Sequence, residues 1–322
     1  MAKFAQYYLE YLKDGLFSEK EWNERQKHFG AYFESDESID FTSGEGEGRK
    51  TYKHNVYHLS SNKDIIVMRI ANEKTKEVIQ DFKTVSVKHE PPSFVIIDNR
   101  DRCRRIAIQK NKESFSTTDS LKKIIQTELD RRMQADHYLG IKLHPQFYPR
   151  DFYKAWRLRQ YSTSCIRFNL CDGVLPNKFK GEELDDQSIM DYAIRLNEEE
   201  TRKKYRSILE LNPPLGKPFL EVDYTSTYIR NLVKFQANTG SSIEIVTNDG
   251  SRFTCYIDND EESDSIVTNE IDNEYLDVLF ADSDREDVEV RKEIAAAEKK
   301  LVDFINKMKV EADEANGKEN VA

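Results

Sequence analysis

Two aspartates and a lysine come nearest to a catalytic arrangement in this sequence. Asp64 is followed by the run Asp81-Phe82-Lys83, and both sets lie near the ends of predicted strands. Two carboxylates can bind a divalent metal ion while a lysine stabilises charge on an attacked phosphate. Because charged residues make up 34% of the chain, such a spacing also arises by chance. A metal-dependent nuclease is therefore an alternative to the leading prediction.

The spacing of histidine and cysteine indicates neither a metal centre nor a nucleophile. His54 and His58 are four residues apart and can share one face, but no third ligand is recognisable nearby. The cysteines lack zinc-finger spacing and any Cys–His motif, and they suit a reducing compartment; they are Cys103, Cys165, Cys171 and Cys255. We predict no catalytic residue, no metal ion and no cofactor.

Basic residues interleaved with aromatic ones form the remaining candidate site. Segment 100–180 has a net charge of +10, whereas 1–99 has −3 and 181–322 has −17, in a chain of net charge −10. Several cations on one surface can neutralise the phosphates of a nucleic acid. The predicted nucleic-acid-binding residues are Arg100, Arg102, Arg104, Arg105, Lys110, Lys112, Lys122, Lys123, Arg131, Arg132, Arg157 and Arg159.

These cations occupy a predicted hairpin, the helix after it and a stretch near Trp156 and Tyr161. We expect them to converge on one open surface that contacts the DNA phosphate backbone. A hairpin and a helix are both elements that fit the major groove. An equally weighted alternative is a solvated face that complements the acidic C-terminal part. Segment 258–289, with 14 acidic residues and one basic residue, is expected to compete with DNA for the basic surface.

Length and composition indicate a folded protein with room for two domains. The chain has 322 residues, and its 16 Tyr and 17 Phe against 12 Gly and 8 Pro argue against disorder. It contains neither an apolar run long enough for a membrane helix nor a recognisable secretory signal. We therefore expect a cytoplasmic location.

Hydrophobic periodicity predicts a mixture of helices and hairpins. Helical spacing is expected over 1–12, after a capping box that starts at Ser18, after Thr118 or Asp119, over 182–211 and over about 285–311. Three predicted hairpins pair 56–59 with 65–68, 94–97 with 105–108, and 243–246 with 253–256. The last has Asn248-Asp249-Gly250 at its turn, a strong hairpin signal.

These elements predict an α+β fold with two domains, antiparallel hairpin-built sheets and packed helices. The predicted N-terminal domain is 1–140, with the hairpins and the basic helix. The predicted C-terminal domain is 141–322, with the acidic segment and a terminal amphipathic helix. That helix carries an apolar seam, which we expect to dock on its own domain, with dimerisation as the alternative; the seam is Ile294, Ala297, Leu301, Phe304 and Met308.

The order of elements resembles a known family of phage-defence proteins. The segments 55–59 (NVYHL), 64–69 (DIIVMR) and 92–98 (PSFVIID), with the capped helix after them, resemble the A component of the lambdoid Rex superinfection-exclusion system. They are similar also to the DNA-sensing B component of the Kiwa anti-phage system. The resemblance implies a self-associating DNA-binding protein that senses phage nucleic acid and signals to a membrane protein encoded nearby.

The leading prediction is thus a DNA-binding defence protein without catalytic activity, with DNA, a second copy of itself and a membrane protein as partners. The metal-dependent nuclease using Asp64, Asp81 and Lys83 is one alternative. A non-enzymatic adaptor, whose basic segment binds an acidic protein, is the other.

Overall fold

The computed structural model of the chain describes residues 1–13, 18–34, 40–44, 49–80, 83–100, 103–170, 207–220, 227–239, 242–254, 267–281 and 287–308. Contacts divide the chain into two compact units. The first contains Met1–Tyr7, Leu12–Leu143 and Thr268–Met308; the described residues of the second lie within Tyr8–Tyr11 and His144–Val267. The chain leaves the first unit close to the predicted boundary at 140, but it returns at Thr268, so 141–322 does not form one domain.

Among the described strands, seven form the main sheet in the order β10-β1-β9-β8-β5-β4, with β15 also pairing with β1. They are β1 (Ala2–Lys13), β4 (His54–His58), β5 (Ile65–Ala71), β8 (Pro92–Asp98), β9 (Arg105–Gln109), β10 (Leu139–Pro145) and β15 (Thr268–Ile271). The first two predicted hairpins are confirmed as β4–β5 and β8–β9, with Tyr57 opposite Val67 and Ile97 opposite Ile106.

The first element is a strand, so the helix predicted over 1–12 is wrong. Every residue of β1 from Phe4 to Tyr11 is buried. A strand covered on both sides shows no alternation of apolar and polar residues. Its aromatic residues then satisfy helical spacing by accident, and periodicity cannot separate the two structures.

Three helices pack in the first unit at or near their predicted positions: α1 (Glu19–Ala31), α2 (Thr118–His137) and α6 (Val288–Lys307). The predicted cap of α1 is confirmed, because the Ser18 hydroxyl accepts a hydrogen bond from the Glu21 backbone N–H at 3.1 Å. Helix α2 is capped one residue earlier than predicted, by Thr117, whose hydroxyl oxygen accepts from the Ser120 N–H.

The terminal helix α6 docks within the chain on the main sheet. Its predicted seam is buried at Ala297, Leu301, Phe304 and Met308, and the Phe304 ring meets Phe4 of β1 edge-on at 5.4 Å. The predicted apolar face is therefore confirmed. Its partner is the first unit, and not the predicted C-terminal domain of residues 141–322.

The second unit is a four-stranded sheet with two described helices, in the order β12-β11-β13-β14. Its elements are β11 (Thr163–Leu170), β12 (Ser207–Leu211), β13 (Ile243–Thr247), β14 (Arg252–Thr254), α3 (Pro149–Arg157) and α4 (Thr227–Thr239). The third predicted hairpin is confirmed as β13–β14, with Gly250 at φ 83° in its turn. Phe152 and Phe168 contribute to the core.

The long helix predicted over 182–211 is not supported where the chain is described. Residues 171–206 lie outside the described part, and Ser207–Leu211 is strand β12, paired with β11. Leu209 belongs to this strand and packs against the core of the second unit. The apolar spacing around Leu209 is compatible with both a helix and a strand.

The acidic stretch 258–289 is partly built into the first unit. Residues 258–266 and 282–286 lie outside the described part of the chain. Between them, β15 pairs with the first residues of β1, and α5 (Asn273–Leu279) buries Leu276 and Leu279. Deleting the whole stretch would remove a strand and core residues, so such a deletion cannot test its predicted competition with DNA.

Two further hairpins complete the described fold and confirm the α+β class. Strands β2 (Phe41–Ser43) and β3 (Lys50–Tyr52) pair with each other, as do β6 (Lys74–Gln80) and β7 (Lys83–His89). The β6–β7 hairpin was not predicted. We call it the lysine ribbon, after Lys74, Lys76, Lys83 and Lys88.

Candidate nucleic-acid interface

Arg100, predicted to contact phosphate, is held at the β8–β9 turn by a buried carboxylate. Its Nε and Nη2 atoms each donate to an Asp98 oxygen at 2.8 Å. The Asp98 side chain is 1% exposed and that of Arg100 is 29% exposed. A buried carboxylate needs a paired cation. The positive charge of Arg100 is therefore largely neutralised by Asp98 within the fold.

The neighbouring arginines do not form an open surface. Arg104 is 1% exposed and Arg105 is 8% exposed. Strand β9 is buried along its whole length, so it has no solvent-facing side on which Arg105 could lie. Arg104 adopts a left-handed conformation at φ 44° inside the turn. Both are corrections to the prediction, and Arg102 lies outside the described residues.

The cations of α2 are paired with carboxylates of the same helix. Lys123 Nζ lies 2.8 Å from Asp119, and both Arg131 and Arg132 contact Glu128. Lys122 is buried, 3.5 Å from Asp119, with its ammonium group 6.0 Å from the Tyr7 ring centre. Spacings of three and four residues explain these pairs. The prediction counted the cations without the acids on the same helical face.

Arg157 and Arg159 belong to the second unit, whereas the other predicted contacts belong to the first. Arg157 is exposed at the end of α3. The Arg159 guanidinium lies 3.7 Å from the ring centre of Phe253 and donates to the Ala155 carbonyl at 2.9 Å. Cation–π contact and a backbone hydrogen bond give Arg159 a structural role in its own unit.

Of the predicted residues, Lys112 lies next to the lysine ribbon. Lys112 is exposed, and its backbone carbonyl accepts a hydrogen bond from Lys74 Nζ at 3.4 Å. Lys110 is partly exposed just after β9, and its backbone N–H donates to the Lys3 carbonyl at 2.7 Å. Lys112 therefore connects the predicted basic segment with a basic hairpin that was not predicted from the sequence, whereas Lys110 contacts β1.

The lysine ribbon continues the β5–β8 ladder beyond the main sheet. The last pair of that ladder is Ala71 with Pro92, and the ribbon begins three residues later with Lys74 opposite His89. Residues 75–77 and 86–88 are all exposed, at consecutive positions of both strands. A sheet covered on one side would alternate between buried and exposed residues. This part of the ribbon is therefore open to solvent on both faces.

The register gives the two ribbon faces different charge. Lys74 pairs with His89 and Lys76 with Val87, and these pairs share one face because side chains alternate along a strand. Glu77, opposite Ser86, belongs to the other face. The face of Lys74 and Lys76 thus carries lysines without a carboxylate at these described positions.

Ion pairs surround the base of the ribbon without involving Lys76. Lys88 lies 2.8 Å from Glu73, and Lys53 lies 2.7 Å from Glu90. Lys76 is exposed, and within the described part of the chain it forms no ion pair. Its ammonium group is thus exposed to an external anion. Alternation of β-branched residues and lysines over 74–89 was the sequence signal for this hairpin.

The alternative nuclease site is not assembled by the described residues. Asp64 precedes β5, whereas Lys83 begins β7 at the tip of the ribbon, so β5 and β6 separate them. Asp81 lies outside the described residues. Asp64 instead lines an open cleft of about 890 Å³ beside α1, together with His58 and Asn99.

The His54–His58 pair is used for packing and hydrogen bonding. The His58 ring nitrogens lie 2.9 and 2.6 Å from the carbonyl oxygens of Lys63 and Phe33, which leaves neither nitrogen as a ligand. The His54 ring meets Phe41 edge-on at 5.1 Å.

Comparisons with known proteins give no relative. Neither a protein-family model, nor a curated protein, nor a solved structure matches the chain. Among the described helices, none combines the length and the apolar character needed to cross a bilayer.

Proposed function

We propose that this chain is a cytoplasmic protein that binds double-stranded DNA through the lysine ribbon. The observation that carries the proposal is the exposure of the ribbon on both faces, with Lys74 and Lys76 on a face free of described carboxylates. An antiparallel two-stranded ribbon is one of the elements that fit the major groove.

The dimensions of the ribbon support this proposal. Each strand has seven residues and therefore extends about 24 Å. The major groove is about 12 Å wide and accepts the width of two paired strands. Lys112, beside the ribbon base, would then contact the phosphate backbone along the groove edge.

Net charge does not oppose the proposal, because binding depends on the local surface. The chain as a whole has a net charge of −10. Acidic residues away from the ribbon weaken long-range attraction to DNA, while short-range phosphate contacts persist within the screening length of about 8 to 10 Å. The proposed interface is thus limited to the ribbon and the residues beside its base.

The resemblance to the Rex and Kiwa components adds a biological setting to the proposal. In that setting, the bound DNA is phage DNA, the chain self-associates and a membrane protein receives the signal. DNA binding by the ribbon does not require these partners, so it is tested without them.

Charge reversal on the ribbon tests the proposal. Binding of short fluorescent DNA duplexes of two unrelated sequences would be followed by anisotropy for the wild-type chain and for Lys74→Glu/Lys76→Glu. We expect the double variant to lose at least about tenfold in affinity for both duplexes, because phosphate contacts are independent of sequence.

The matched control is Lys299→Glu/Lys300→Glu, which reverses two exposed lysines on α6. It changes the net charge by the same amount but leaves the ribbon intact. Equal affinity of the ribbon variant and the control would contradict the proposal. Circular dichroism of both variants establishes that the fold is retained.

A further inference from the structure

Two histidines and a glutamate from two helices converge on one point of the first unit. Glu21 and His28 lie seven residues apart on the same side of α1, and His137 is the last residue of α2. Glu21 Oε2 lies 3.0 Å from His28 Nε2 and 2.9 Å from His137 Nδ1. The three atoms all lie within 4.8 Å of one another.

These separations are close to those of a tetrahedral metal centre. Zinc binds nitrogen and oxygen ligands at about 2.0 to 2.1 Å, so two ligands of one tetrahedron lie about 3.3 to 3.4 Å apart. The observed Glu21–histidine separations are 2.9 and 3.0 Å. Admitting the ion takes an outward shift of a few tenths of an ångström in Glu21 and a rotation of at least one of the two stacked rings, because an imidazole binds a metal in its ring plane.

Hydrogen bonding does not account for the whole cluster. One oxygen of Glu21 faces both imidazoles, and the His28 and His137 rings stack at 3.8 Å with 19° between their planes. His28 Nε2 is buried and lacks a hydrogen bond of acceptable geometry, although Glu21 is near. A buried polar atom without such a bond is costly, and a metal ion would satisfy it.

The electrostatic setting suits a cation. His137 is the last residue of α2, so the negative end of that helix dipole lies at the cluster, where Glu21 adds a carboxylate.

The cluster also has a fourth potential donor, a carboxylate oxygen, and access to solvent. Glu24 Oε2 lies 3.8 Å from His28 Nε2, one turn along α1 from Glu21. The side chains of Glu21, His28 and His137 are 28%, 16% and 22% exposed, so an ion can enter without opening the core. A water molecule or Glu24 would complete four-coordination.

We propose that Glu21, His28 and His137 form a binding site for a divalent transition-metal ion of the zinc class, which ties α1 to α2. Imidazole with a single carboxylate selects zinc and its neighbours over magnesium and calcium, which prefer all-oxygen sites. Residue spacing could not predict this site, because His28 and His137 are 109 positions apart and only the fold brings them together.

Metal titration of the untagged, chelator-treated full chain tests this site. We expect one equivalent of Zn²⁺ to bind and to raise the midpoint of thermal unfolding, while Mg²⁺ has no effect. Co²⁺ in its place should give a tetrahedral d–d absorption without a thiolate charge-transfer band, which distinguishes this site from any cysteine site.

Substitution of the ligands locates the ion. His28→Asn, His137→Asn and Glu21→Gln should each weaken Zn²⁺ binding by at least about tenfold, and His89→Asn, on the ribbon, should not. Glu21→Gln preserves side-chain volume, so the Zn²⁺ affinity of this variant tests the site even if a histidine variant fails to fold. Unchanged Zn²⁺ affinity in Glu21→Gln, or no binding by the wild-type chain, would overturn the proposal.

Discussion

Glu298 and Ser60 are 238 positions apart in the chain but share two hydrogen bonds. The Glu298 carboxylate, on α6, accepts from the Ser60 backbone N–H at 2.7 Å and from its hydroxyl at 2.5 Å. The Tyr57 hydroxyl donates to the same carboxylate at 2.8 Å. A buried glutamate thereby fixes the terminal helix to the β4–β5 hairpin.

Replacing Glu298 with alanine should destabilise the protein strongly. The change leaves three donors without their acceptor in a site where Glu298 is 7% exposed. We expect the free energy of unfolding to fall by about 2 to 3 kcal/mol. Urea denaturation followed by fluorescence measures it.

Glu293→Ala is the matched control, because Glu293 is exposed on the same helix. Its effect should stay within about 0.5 kcal/mol. Similar losses in the two variants would mean that helix propensity, and not the buried carboxylate, determines the stability of α6.

Local sequence predicted the elements of this fold better than their assembly. The spacing of Ala297, Leu301 and Phe304 identified the buried face of α6, because helical periodicity is a local property. The surface that receives this face includes Phe4, at the other end of the chain. No local pattern could specify that contact, so the helix was assigned to the wrong domain.

The candidate site was harder to predict, because charge counts do not reveal pairing. Arg131 and Lys123 contributed to the basic excess, yet acids three or four residues earlier neutralise them. Arg104 was placed on a surface but is buried in a turn. Lys76 forms no ion pair with a described residue, but it was not among the predicted DNA contacts because the β6–β7 hairpin was not predicted.

Gly140 is required by a close approach between β10 and α2. A Cβ atom there would lie 2.9 Å from Asp130 Oδ1 and 3.3 Å from Leu12 Cβ. The same Asp130 oxygen accepts a hydrogen bond from the Ile141 N–H at 2.7 Å, so it cannot move freely. Gly140→Ala should reduce the free energy of unfolding by about 1 to 2 kcal/mol, measured by urea denaturation.

Gly30→Ala provides the contrast for that experiment. Its added Cβ would meet only Asn99 Nδ2, at an ordinary 3.6 Å. Alanine also favours the helix, so this variant should gain about 0.5 to 1 kcal/mol. A loss of unfolding free energy in both variants would show that the contacts of the added Cβ atom do not determine the effect of these substitutions.

Tyr7 should make stability fall at alkaline pH. Burial raises the pKa of Tyr7 from 10.0 to about 12, and its hydroxyl oxygen lies 3.1 Å from Thr118 Oγ1. The unfolded chain releases the phenolic proton first as pH rises above 10, whereas the folded chain retains it. Proton linkage then lowers the stability between pH 10 and about 12.

Tyr7→Phe removes that proton, so its free energy of unfolding should depend less on pH in this range. Tyr161→Phe, at a position that is 76% exposed, should retain the wild-type dependence. The comparison uses denaturant unfolding at a series of alkaline pH values. Parallel curves for the wild-type chain and Tyr7→Phe would refute the assignment.

The salt dependence of DNA affinity tests the proposed ribbon interface most directly. For the wild-type chain, log K should fall linearly with log[salt], with a slope of about −0.9 for each phosphate contact. Lys74→Gln/Lys76→Gln should make the slope shallower by about 1.8, while Lys299→Gln/Lys300→Gln leaves it unchanged. A wild-type affinity that does not depend on salt, or the same slope in all three proteins, would contradict DNA binding by the lysine ribbon.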